Sequence, residues 1–191
     1  MKLIFATNNN NKIIEVQALL NKKFDIKSLK DINCFDEIVE SKETIEGNAI
    51  LKAEYVYKKY KVNCFADDTG LEVESLHGLP GVMSKRFSGS DYSAEKNISK
   101  LLSMMKTSSN RKAKFKTVIA LILNGELSVF SGVCEGEIIF TKKGLKGFGY
   151  DPVFKPNGHK FTFAEMDMEI KNTIGHRAKA VKKLIEFLTK K

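Results

Sequence analysis

Cysteine and histidine are scarce in this 191-residue chain, with three of each. Cys34, Cys64 and Cys134 are odd in number, far apart and without zinc or redox spacing, which argues against a disulfide framework and for reduced thiols in or near the core. His77, His159 and His176 are scattered too, so a zinc site has no support, and a metal, if used, should take oxygen ligands. No apolar run reaches the length of a membrane span. The chain opens directly into a strand instead of a signal peptide, and the expectation is a cytoplasmic protein with no membrane partner. A Walker loop is also missing, since the chain has neither its glycines nor its Gly-Lys-Ser/Thr ending.

What is present is enough apolar sequence, 42% hydrophobic against 29% charged, to build one substantial core. Residues 1–191 therefore read as a single globular domain. The net charge of +9 fits an anionic partner, either a nucleic acid or a small polyphosphate. Lys58-Lys59, Lys142-Lys143, Lys182-Lys183 and Lys190-Lys191 disperse that charge along the chain, and a solvated surface is the simpler account of such pairs.

Helix and strand patterns interleave. Lys2–Ala6 predicts a strand and 13–21 a helix, with Ile13, Val16 and Leu20 on one face. Phe24–Leu29 predicts a short strand and 44–60 a second helix, in which Asn48 and Lys52 lie four residues apart and point one way. A strand over 62–66 is expected to be interrupted at Asp67-Asp68-Thr69-Gly70. A helix over 94–106 takes Ser93 as its cap. Two strand-like runs within 115–139 meet at Asn124-Gly125, the signal for a tight type I′ hairpin. A last helix is predicted over 175–189. The hairpin among alternating helices and strands implies a mixed sheet in an α/β fold.

Six places along the chain carry residues suited to chemistry. Thr7-Asn8-Asn9-Asn10-Asn11-Lys12 joins a strand to a helix N-terminus, where phosphates bind. A cation at position 12 opposes the helix dipole unless an anion arrives, and the asparagines suit left-handed backbone and amide donation. An Asn-rich turn is the plainer alternative. Asp67 and Asp68 place adjacent carboxylates at a strand end, suited to magnesium or to activating water, though neighbours on an extended chain point oppositely. An acidic turn closed by Gly70 is the other account. Glu40 is a candidate second ligand that composition does not separate from Glu37 or Glu43. Lys171, His176 and Arg177 cluster before or within the first turn of the last helix, where their donors could meet carbonyl or phosphate oxygens. Phe148-Gly149-Tyr150-Asp151 offers an aromatic face for a base beside a carboxylate, or packs on the core. Lys85 after the Pro80-Gly81 loop is either one more phosphate-facing cation or an exposed one.

These pieces, in this order, resemble the inosine triphosphate pyrophosphatase family across essentially the whole chain. Seven motifs carry the likeness: Thr7-x-Asn9-x-x-Lys12; Glu46-Gly47-Asn48-Ala49-x-x-Lys52-Ala53; Ala66 to Gly70; Gly78 to Val82; Gly147 to Pro152; Thr162 to Met166; and Ile174 to Arg177. The resemblance implies hydrolysis of ITP, dITP and XTP to a nucleoside monophosphate and pyrophosphate. Thr7, Asn8, Asn9, Asn10, Asn11, Lys12 and Lys52 would hold the triphosphate, and Glu40 and Asp68 would ligate Mg2+, with Mn2+ as a substitute. Asp68 would also take the proton of the attacking water. Thr69 would touch substrate, and Phe148, Gly149, Tyr150, Asp151, Lys171, His176 and Arg177 would form the nucleotide pocket. An elongated mixed sheet flanked by helices, two lobes around a central substrate cleft and a homodimer are implied too. The chain departs from the family in having Gly175 for the usual Ser and Asn8 for a frequent Gly. Alternatives are a pyrophosphatase for other modified or pyrimidine triphosphates, as in the Maf-type proteins, or a basic nucleic-acid-binding module; no nucleic-acid partner is expected.

Overall fold

In the computed structural model, which describes residues 1–20 and 24–191, seven strands form one mixed sheet with five α-helices about it. In chain order these are β1 (Lys2–Phe5), α1 (Asn10–Leu20), β2 (Asp25–Ser28), α2 (Ile45–Tyr60), β3 (Cys64–Val73), β4 (Pro80–Gly81), α3 (Ala94–Met104), β5 (Lys112–Leu123), β6 (Glu126–Ile138), β7 (Phe154–Pro156), α4 (Met168–Ile174) and α5 (His176–Thr189). The strand order is β2-β1-β3-β5-β6-β7, with β4 on β3. β1 runs parallel to β2 and β3, whereas β3–β4 and β6–β7 are antiparallel, as a mixed sheet requires. The hairpin forms at Asn124 and Gly125, with φ of 52° and 89°. Both are the positive values that a type I′ turn demands.

The chain divides into two compact units. The first comprises 1–68, 117–132 and 176–191. Its core gathers Leu3 and Phe5 of β1, Phe65 of β3, Ile119 and Leu121 of β5, Val16 and Leu20 of α1, and Val181, Leu184 and Leu188 of α5. Each such side chain contributes about 1.5–3 kcal/mol when removed from water, and Phe5 and Phe65 add a stacked contact at 4.5 Å. The second unit comprises 69–116 and 133–175, around Leu71, Ile98, Leu101, Met105, Phe115, Phe154 and Phe163.

Local chemistry explains the element ends. Thr44 Oγ1 accepts from Gly47 N at 2.9 Å and starts α2, and Ser93 Oγ accepts from Lys96 N at 3.3 Å and starts α3. Asn9 Oδ1 accepts from Asn11 N at 3.0 Å and Lys12 N at 3.3 Å. α1 therefore begins at Asn10, earlier than predicted, and its expected last residue, Asn21, lies outside the described residues. No residue of the Thr7–Lys12 loop has a positive φ, so the asparagines serve as a cap and not as left-handed backbone. Two further expectations change. β3 runs unbroken through Asp67–Gly70, because cations from neighbouring helices neutralise its carboxylates and allow their burial. Lys171 belongs to a separate helix, α4, which ends at Gly175 in extended backbone before α5 starts.

Candidate active site

The two aspartates of β3 point to opposite faces, and each meets a different helix. Asp67 Oδ1 accepts from Lys12 Nζ of α1 at 2.9 Å, and its Oδ2 accepts from Arg177 Nε of α5 at 3.1 Å. Asp68 Oδ1 accepts from Lys52 Nζ of α2 at 3.3 Å. The same ammonium donates to Glu40 Oε1 at 2.6 Å. Arg177 also donates through Nη1 to Glu15 Oε2. One run of buried charge thus passes from Glu15 through Arg177 and Asp67 to Lys12, beside a second that joins Glu40, Lys52 and Asp68.

Electrostatics separates the two aspartates. Burial opposes the charge of Asp67, but Lys12, Arg177 and Lys52 outweigh it and hold its carboxyl well below the usual range. Asp68 moves the other way. Burial raises it, as do the charges of Glu40 and Asp67, against the pull of Lys52 and Lys12. Lys52 is raised: burial disfavours its charge, yet Asp68, Glu40 and Asp67 prevail. Lys52 thus pairs with both carboxylates, Glu40 and Asp68. Lys12 is lowered, first by burial and then by Lys52 and Arg177, with Asp67 only partly compensating. An arriving anion would favour its charged form.

In the second unit, Asp151 is buried and its Oδ2 accepts from Lys171 Nζ at 2.6 Å and from Phe148 N at 2.9 Å. That ammonium lies 5.1 Å from the centre of the Phe148 ring and 5.4 Å from that of Phe163. The aromatic face available here is the half-buried Phe148. Tyr150 turns into the core, and its hydroxyl donates to Ser84 O at 3.0 Å. A Cβ on Gly147 would stand 2.1 Å from Asp151 Oδ2, so only glycine admits this turn. Lys85 lies with its ammonium 4.5 Å from the Tyr92 ring centre.

Lys12, Glu40, Lys52, Asp68 and Arg177 of the expected site are brought together in the first unit, and Phe148, Asp151 and Lys171 in the second. Thr7 is half-buried and Asn8, Asn9, Asn10 and Asn11 are exposed along the loop into α1. Thr69 is half-buried next to Asp68, and His176 is buried at the start of α5. Gly149 takes a φ of 62° and has open space where a side chain would go. Sequence reasoning passed over Asp67 as a partner for two cations, and passed over Glu15 altogether. The signal for Glu15 was a carboxylate beside the buried stripe of α1, next to Val16 and three residues from Lys12.

The Ham1 family model matches residues 3–187. A protein of Flavobacterium johnsoniae named dITP/XTP pyrophosphatase is 57% identical over 189 residues, covering 99% of this chain and 98% of its own. One of the same name from Christiangramia forsetii is 52% identical over 190 residues and covers both chains fully. Among solved structures, the Ham1 protein of Staphylococcus aureus is similar with a TM-score of 0.90 at 36% identity, over 99% of this chain and 98% of its own. A HAM1 protein from Coxiella burnetii reaches 0.92 at 34% identity over the whole of both chains. With a family match across nearly its full length and relatives more than half identical to it, this chain belongs to the Ham1 family.

Proposed function

We propose that residues 1–191 form one pyrophosphatase domain that hydrolyses the non-standard purine nucleoside triphosphates ITP, dITP and XTP. Water attacks between the α and β phosphorus atoms, and a nucleoside monophosphate and pyrophosphate leave. The observation that carries the reading is the pair of carboxylates on one ammonium, Glu40 and Asp68 on Lys52. It accompanies relatives named dITP/XTP pyrophosphatase.

The donor set fits magnesium, with manganese as a substitute. Its oxygens are hard, and two carboxylates converge on one ammonium. Among the described residues no group of three His, Cys, Asp or Glu gathers that could hold a metal by itself, so phosphate and water oxygens would complete the shell, as magnesium prefers. Held by Glu40 and Asp68, the ion would supply charge neutralisation on the phosphates.

The protein's own groups do the rest. Asp68 accepts a proton from the attacking water. Lys12 and Lys52, with the Thr7–Asn11 loop at the start of α1, bind phosphate oxygens and stabilise the charge that builds on pyrophosphate. Thr69 touches substrate, and Phe148 to Asp151, Lys171, His176 and Arg177 receive the nucleotide. Selectivity against adenine rests on a 6-oxo group meeting a donor at His176 or Arg177, since a 6-amino group would leave that donor unpaired, a mismatch of about 10⁴-fold or more; exclusion of guanine, which shares the 6-oxo group, falls to its 2-amino position. The resemblance also supports a homodimer, which would elute at twice the 21.5 kDa chain mass. Among the described residues no helix is long and apolar enough to cross a membrane, and we place the enzyme in the cytoplasm.

The test is hydrolysis of ITP, XTP, dITP, GTP, ATP and UTP with magnesium, resolving pyrophosphate from orthophosphate. Pyrophosphate from the first three alone is expected. Orthophosphate as product, turnover confined to UTP, or no turnover at all would overturn the reading.

A further inference from the structure

Glu40 lies in the connection between β2 and α2, in a stretch with no helix or strand of its own, yet its carboxylate reaches Lys52. The first turn of α2 holds that stretch in place. Asn48 Oδ1 accepts from Lys42 N at 2.9 Å, two residues past Glu40. Beside it, Gly47 has no side chain, and a Cβ there would meet Lys42 Cβ at 2.9 Å and Thr44 Oγ1 at 3.0 Å. Asn48 is wholly buried, and its Nδ2 has no hydrogen-bond partner among the described residues. An apolar residue of the same shape would remove that donor but leave Lys42 N without its acceptor. The amide is therefore retained for the bond it makes to the Lys42 backbone. Asn48 and Lys52 share one helix face, so a single helix carries both the hook for the connection and the cation that Glu40 pairs with.

We propose that Gly47 and Asn48 form a clamp that positions Glu40 for a divalent cation. Asn48 fastens the backbone just after Glu40, and Gly47 leaves the room that fastening needs. Both are positioning residues and neither is a ligand. The inference rests on the reading of Glu40 and Asp68 as cation ligands given above. It also accounts for a glycine in the first turn of α2, where alanine would favour the helix. A purely structural role predicts that Gly47→Ala shifts the melting temperature and leaves Mn2+ affinity unchanged.

Mn2+ binding to the full-length chain, followed by the electron paramagnetic resonance of the free ion, tests the clamp beside thermal unfolding by circular dichroism. Wild type should bind Mn2+, and Asp68→Asn should abolish binding. Gly47→Ala and the near-isosteric Asn48→Leu should bind about tenfold more weakly, the scale of loss when a ligand's support is removed, while keeping the wild-type circular dichroism spectrum and a cooperative thermal transition. Gly47→Ala leaves Asn48 intact and tests the clamp even if Asn48→Leu fails to fold. Wild-type affinity in the folded clamp variants, with Asp68→Asn still inactive in binding, overturns the clamp alone. Failure of wild type to bind Mn2+ overturns the cation reading and the clamp with it.

Discussion

Asp67 and Asp68 are chemically identical neighbours that the strand turns into different instruments. Asp67 is buried between two cations and held ionised, whereas Asp68 shares one cation with Glu40 and holds its proton more readily. Asp68→Asn should therefore leave the fold intact and cut pyrophosphate release from ITP by about 10²–10⁴-fold, the worth of a positioned base; near-normal turnover would remove Asp68 from that role. Asp67→Asn should act on stability, because it takes the carboxylate from Lys12 and one of the carboxylates from Arg177, which keeps Glu15. The expected loss is about 3–5 kcal/mol in urea unfolding. A carboxyl lowered in the folded state contributes stability that is present above its unfolded pKa and is lost as pH falls through the folded one. Wild type should thus lose stability as pH drops below about 4, and the variant should show a flatter acid limb. A pair of opposed carboxylates was legible from strand periodicity. Which cation each would meet was not, since Lys12, Lys52 and Arg177 come from three helices far apart in the chain.

Elements were most legible where chemistry is local. Ser93 caps α3 as predicted, and Asn124-Gly125 turns the hairpin with the dihedrals its residue types favour. Element readings failed where a tertiary partner overrode the local signal. The strand expected to break at Asp67 continues because its carboxylates find cations, and the basic cluster assigned to one helix start is split by the extended backbone of Gly175. That split places Lys171 in the last turn of α4, the favourable end of a helix for a cation, and lets it reach Asp151. The turn that presents Asp151 depends on Gly147, whose φ is +74° and whose absent side chain leaves room for the carboxylate. Gly147→Ala should displace Asp151 and loosen Lys171. We expect a destabilisation of more than about 1 kcal/mol from the strained backbone alone and a raised KM for ITP. A KM equal to wild type would separate this loop from substrate binding.

For the whole molecule, a net charge of +9 attracts any polyanion and so favours a triphosphate and a nucleic acid alike. The buried carboxylates Asp67 and Asp68 argue against a nucleic acid, since they would lie inside a polyanion site unless a metal intervenes. Attraction over distance is screened by salt. Raising ionic strength from about 50 to 300 mM should lower kcat/KM for ITP several-fold and leave kcat nearly unchanged. A kcat/KM indifferent to salt would assign the positive charge to solubility instead.

From the order of its motifs the sequence by itself determined the family, the α/β class, the hairpin and most of the residues proposed for the site, because those depend on residue type, spacing and local hydrogen bonding. Tertiary structure alone decided which charges meet. It placed Glu15 behind Arg177, gave Asp67 two cations, turned Tyr150 into the core and fastened the Glu40 connection to Asn48. The physical reason is that a buried charge is tolerable only beside its counter-charge, and which counter-charge stands beside it is settled by how strands and helices distant in the chain pack together.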